Sequence, residues 1–164
     1  MIELYDCYRT SLMNAKYYAR RLHRVKLLST LSDCLIAVVA TAGFASLVTW
    51  KSDLGKIIFT SLVGITAAFS AARPILRLPD KIDRISKLHY GYLELYYRIE
   101  ALVSSIKVSG HLTNEHIDKA NDLTERFRAL ELEGDAYQDK TTLLKYQDEI
   151  DQIIPPDRLW LPSE

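Results

Sequence analysis

The chain has 164 residues, with 21 Lys+Arg against 21 Asp+Glu, and its formal charge of zero excludes a whole-molecule electrostatic pull toward nucleic acid or lipid. At 48% hydrophobic it is not a disordered chain, and 6 Gly and 5 Pro with no Asn-Gly or Asp-Gly turn argue against an all-β fold and for all-α. The zero is an average, because residues 1–89 carry 13 basic and 6 acidic side chains (+7) and residues 90–164 carry 8 and 15 (−7).

Residues 1–26 read as a cytoplasmic amphipathic helix, with Tyr8, Leu12, Ala15, Ala19 and Leu22 at steps of 4, 3, 4 and 3. Its end is basic, through Arg20, Arg21, Arg24 and Lys26. From Leu27 to Trp50 run 24 residues whose only charge is Asp33. As a helix they reach about 36 Å, enough for a hydrocarbon core of about 30 Å. After the short connection 51–56 comes a second apolar segment, 57–76, whose first 16 residues are uncharged and whose end is extended by a snorkelling Arg73. The two segments are expected to form a transmembrane hairpin. Six Lys/Arg in 1–26 and five in 73–87, against Lys51 and Lys56 in the connection, place both termini in the cytoplasm under the positive-inside rule. No cleavable signal peptide is expected, since a charged amphipathic stretch precedes the apolar run. The alternative is a soluble bundle that buries the hairpin as its core. Residues 34–48 are apolar or small on every face, which favours the membrane.

Pro79 is expected to break or kink the chain below the second span. In 77–109 Ile85, Leu88, Tyr92, Leu95, Ile99, Leu102 and Ile106 alternate steps of 3 and 4, the seam of a coiled-coil-like helix that continues the hairpin as a cytoplasmic antiparallel pair. Eight of the ten tyrosines lie on the two arms and are expected to pack them together or against neighbouring chains, with a base-stacking platform as the alternative. The acidic remainder, 110–164, reads as a C-terminal helical region. One helix is capped by Thr113 or Asn114 and ended by Gly134, with Ile117, Ala120, Leu123, Phe127 and Leu130 inward. The next runs from Lys140 to about Ile154, with Leu143, Tyr146 or Gln147, Ile150 and Ile153 inward.

Residue chemistry points away from catalysis. There is no phosphate-cradling glycine loop, nucleophile elbow or HExxH, and the four histidines and two cysteines lack metal-ligand spacing. Cys7 and Cys34 on one rod would be about 40 Å apart, so free thiols are expected and no cofactor or metal. Arg84 and His89 have the Arg-x4-His spacing of HEPN-type RNases, a short pattern that 11 Arg and 4 His match readily by chance. In the spans, Gly64, Ala68 and Ala72 form a small-residue ridge, and Ala37, Thr41, Ala45 and Thr49 form another. Such ridges either close the hairpin or join protomers. Asp33 lies near the cytoplasmic end of its span, where it is expected to reach the interface or meet Arg73 or Arg77, or else to line a pore. Arg73, Arg77, Lys81 and Arg84 share a helix face if Pro79 only kinks the helix, and would then meet anionic lipid or, in an oligomer, a phosphate-rich ligand.

The basic amphipathic helix NAKYYARRLHRVK, the two-helix hairpin with its minimal loop, the exit AARPILRLPDKIDR and the Tyr-rich helix LHYGYLELYYRIEAL together resemble the SLATT family of two-transmembrane effectors over roughly residues 5–108. The resemblance implies a small inner-membrane effector of prokaryotic antiviral defence, found beside nucleotide-second-messenger synthases (CBASS) or CRISPR systems, that assembles and permeabilises or depolarises the membrane. It also implies a cyclic oligonucleotide or a CRISPR component as the signal. Residues 110–164 have no place in that pattern. The expected protein is a non-enzymatic, multi-pass homo-oligomer in the lipid bilayer that binds no DNA, with a membrane-anchored adaptor as the alternative and a HEPN-like RNase after it.

Overall fold

Helix propensity without punctuation predicts long elements, and the computed structural model has them. It describes residues 2–49, 77–134 and 139–155 and, between them, 57, 60, 61, 63–68, 70 and 71; the side chains of 35 and 39–49 lie outside this set. The named elements are α1 (Ile2–Thr49), α2 (Leu78–Ser109), α3 (Asn114–Glu133) and α4 (Lys140–Ile153). The described residues between 57 and 71 are helical too, and no strand occurs among the described residues. The protein is all-α.

The chain divides into two compact units, one of residues 1–22 with 84–164 and one of residues 23–83. Helix α1 runs without a break from the arm 1–26 into the first apolar segment, and residues 1–22 of it belong to the first unit. Much of the expected hairpin lies outside the described residues: Trp50 and the connection 51–56, residues 72–76, and the side chains 39–49. Among the described residues no helix is long and apolar enough to cross a membrane.

Within the first unit the expected antiparallel pair forms. Tyr8 stacks on Tyr96 with ring centroids 4.8 Å apart, and seven residues further along α1 the Ala15 carbonyl lies 3.0 Å from His89 Nδ1, seven residues back along α2. All seven seam residues of α2 are buried, with Val103. On α1 the expected stripe is buried only at Ala15 and Leu22, with Tyr8, Leu12 and Ala19 half-buried, while Leu4, Tyr5, Cys7, Ser11, Asn14, Tyr17 and Tyr18 are buried outside it. The arm is wrapped on several sides. Tyr18 stacks on Tyr92 at 5.8 Å, and Tyr92 meets Phe127 of α3 edge to face at 6.2 Å, so one aromatic column ties three helices.

Local chemistry sets the helix ends. Thr113 caps α3, accepting from His116 N, while the His116 ring returns a contact to Thr113 N, a capping box in which histidine replaces the usual Glu or Gln. His116 is therefore buried where Ile117 was expected, and Ile117 is exposed. Asp139 caps α4 by accepting from the backbone of Thr141 and Thr142. Helix α4 buries Ile150, but Ile153 is 54% exposed, against expectation.

Candidate functional site

Of the four cations expected to share one face, Lys81 and Arg84 lie on α2 and Arg77 lies just before it. Arg77 has φ +44°, a left-handed conformation outside helical geometry, and its carbonyl accepts from Lys81 N to begin α2. Pro79 then sits in the first turn of α2, where its missing N–H costs no intrahelical bond. Arg73 lies outside the described residues. Lys81 and Arg84 are one turn apart on α2, and Arg84 donates to the carbonyls of Glu133 (2.9 Å) and Gly134 (3.3 Å), the otherwise open C-terminal end of α3.

His89 is directed elsewhere, to the Ala15 carbonyl. The Arg-x4-His pair thus reaches two different helices, each residue joining α2 to a neighbour. The sequence pattern does not show the capping role of Arg84. The signal was Gly134, a helix stop whose free carbonyls call for a cation.

In the second unit Asp33 is exposed beside buried Ser32. Of the ridge, Gly64 and Ala68 are exposed, and a Cβ placed on Gly64 meets nothing within 4 Å; Ala72 lies outside the described residues. The buried residue of that stretch is Thr66. The described side chains of this unit include exposed Leu27, Leu28, Leu31, Val38, Ile57 and Ile65, each at least half accessible.

The acidic C-terminal region is not simply a solvent-facing half. Arg9 pairs with Asp151 and Lys16 with Glu149, bringing α4 against α1, and Tyr17 Oη accepts from Asp139 N at 3.1 Å. Arg128 of α3 reaches Glu3 at 2.8 Å. The +7 and −7 halves neutralise each other in part across the first unit, which hydropathy periodicity alone could not reveal. The pairing signal was charge complementarity between the arm and the last helix.

Buried hydroxyls and thiols are held neutral. Burial pushes the Tyr8 phenol well up, helped by its 3.2 Å hydrogen bond to Tyr96, and burial followed by the neighbouring Tyr18 does the same for Tyr92. Burial also raises the Cys7 thiol against the lowering bond from Thr124. At the surface, the Lys119 ammonium holds the Glu115 carboxyl below its ordinary range. Cys7 and Cys34 are free, one buried and one exposed. No cluster of three or more metal-ligating side chains occurs among the described residues. This set of contacts builds a helical body and offers no assembled nucleophile, base and oxyanion donor among the described residues. No family model, curated protein or solved structure matches the chain.

Proposed function

We propose that the protein is a non-enzymatic inner-membrane effector of antiviral defence. Two-span protomers with cytoplasmic termini oligomerise, and a cytoplasmic signal such as a cyclic oligonucleotide drives them to permeabilise or depolarise the membrane. The observation that carries the reading is the chemistry of the second unit. Leu27, Leu28, Leu31, Val38, Ile57 and Ile65 expose apolar surface that water does not favour and lipid does. Gly64 and Ala68, exposed beside them with open space at Gly64, supply the small-residue contact by which helices associate in lipid. Arg77 and Lys81 belong to the same unit as the apolar residues, in keeping with an anionic headgroup or phosphate contact.

The test is a voltage-sensitive dye in cells expressing the full chain with its neighbouring genes, with and without phage infection. Depolarisation on infection that needs the chain is the expected result, and unchanged potential in infected cells refutes it. The adaptor alternative draws on the folded body formed by α2, α3, α4 and the α1 arm, a surface able to recruit a partner. It predicts that this body retains full activity when tethered to an unrelated anchor.

A further inference from the structure

Helices α2 and α3 run antiparallel: Gly91 abuts Leu130, Tyr92 meets Phe127, and Ser105 Oγ lies 3.3 Å from His116 Nε2. That register sets residues 96–97 of α2 level with 124–125 of α3. Two grooves run along the pair and share Arg98, the smaller at Gly91 and Leu130 and the larger, about 600 Å³, over Leu102 and Leu123. Their rims carry two intrahelical ion pairs, Arg98–Glu94 at 2.6 Å and Arg126–Asp122 at 3.1 Å, all four side chains about half exposed. The midpoints of these pairs are residues 96 and 124, which the register puts at one level.

We propose that the α2/α3 face is a two-fold interface with a second copy of this chain. A two-fold axis parallel to the plane of the helix pair, just outside it and perpendicular to the helices at this level, stacks α2 antiparallel on its copy and α3 likewise. Glu94 then faces the copy's Arg98, and Asp122 the copy's Arg126, with each reciprocal contact generated by the same rotation. Four cross-chain pairs follow from one operation, because two charge dipoles on separate helices share a centre. The same rotation sets Gly91 against Ala101 of the copy, which lets the backbones approach. This inference deepens the oligomer in the reading above and needs no conduction.

The experiment uses two differently tagged full-length chains co-expressed in membranes, each with Cys34→Ser, since Cys34 is exposed and Cys7 buried. One carries Glu94→Cys, the other Arg98→Cys. Facing helix positions in contact bring Cβ atoms within disulfide reach. Oxidation is expected to join the unlike chains several-fold more than either like pair. Equal yields, no joining, or preferential joining of Glu94→Cys to Arg126→Cys overturns the stated interface. A charge arm guards against misfolding. Glu94→Arg is expected to disperse the oligomer, and adding Arg98→Glu restores the intrahelical pair and the cross-chain pairs and brings it back. An oligomer indifferent to Glu94→Arg also overturns the interface. Depolarisation measured in the same cells on phage infection separates the two readings. Joining without depolarisation keeps the interface and refutes the conduction path, and depolarisation without joining does the reverse.

Discussion

Two neighbouring polar residues in the core of the first unit should respond to the same substitution with opposite signs. Ser11 is fully buried and its Oγ has no hydrogen-bond partner among the described residues. Asn14, one turn on and 5% exposed, is hydrogen-bonded to the Tyr92 hydroxyl. A buried hydroxyl without a partner costs about 1–3 kcal/mol. Ser11→Ala removes that cost and gains about 0.5 kcal/mol of helix propensity. Against this stands the space of one oxygen, a few tenths of a kcal/mol at about 24 cal/mol per Å³. The net expectation is stabilisation by about 1–2 kcal/mol, a rise of several degrees in Tm for a body of this size. Asn14→Ala instead strands the phenol of Tyr92, itself 1% exposed, and should destabilise by about 1–3 kcal/mol. The assay is thermal unfolding of the detergent-purified full chain, followed by near-ultraviolet circular dichroism of the stacked tyrosines. A lowered Tm for Ser11→Ala, or a raised one for Asn14→Ala, refutes the argument.

Three further outcomes are expected. Tyr8 and Tyr92 are acids whose folded-state values lie above the ordinary phenol value of 10, so the folded chain keeps protons that the unfolded chain releases. Stability should be full below pH 10 and fall as the pH rises beyond it, and Tyr8→Phe should make an alkaline titration of Tm shallower. A Cβ at Gly91 would stand 2.8 Å from Leu130 Cδ2, the movable end of a side chain. Gly91→Ala should therefore change stability by less than about 1 kcal/mol, overpacking offsetting propensity, while Gly91→Val should cost about 2 kcal/mol or more in chemical denaturation. Arg84→Ala should cost about 0.5–1.5 kcal/mol through the exposed end of α3 without altering RNA integrity in the cell. Loss of an RNA cleavage activity on that substitution, with Tm unchanged, would favour the RNase reading instead.

The α2 seam was fully legible because one strict 3,4 alternation of large apolar residues faces one side of the helix. The α1 arm was legible only in part. Its core positions include Ser11 and Asn14, whose polarity breaks the hydrophobic pattern, and contacts with α2, α3 and α4 bury more than one stripe. In α3 the His116 ring turns inward to complete the cap, displacing Ile117, an arrangement that periodicity cannot anticipate. The basic set was read as one face because a proline kink preserves helical spacing, whereas a left-handed residue at Arg77 does not. Charge counting gave the two halves but not their union, since Arg9 and Asp151 lie 142 residues apart in the chain and meet only after folding.

The first unit is assembled from residues 1–22 and 84–164, with residues 23–83 lying between in the chain. Its aromatic column cannot close until α2 and α3 have left the ribosome. During synthesis the α1 arm therefore waits for at least the intervening 61 residues, about 3–12 s at ordinary translation rates. Over that interval Leu4, Tyr18 and Leu22 lack their native cover, and the two apolar stretches emerge before any competing core exists to capture them. Order of synthesis thus gives lipid, a chaperone or a targeting factor the first opportunity to engage those stretches, ahead of the protein's own helical body.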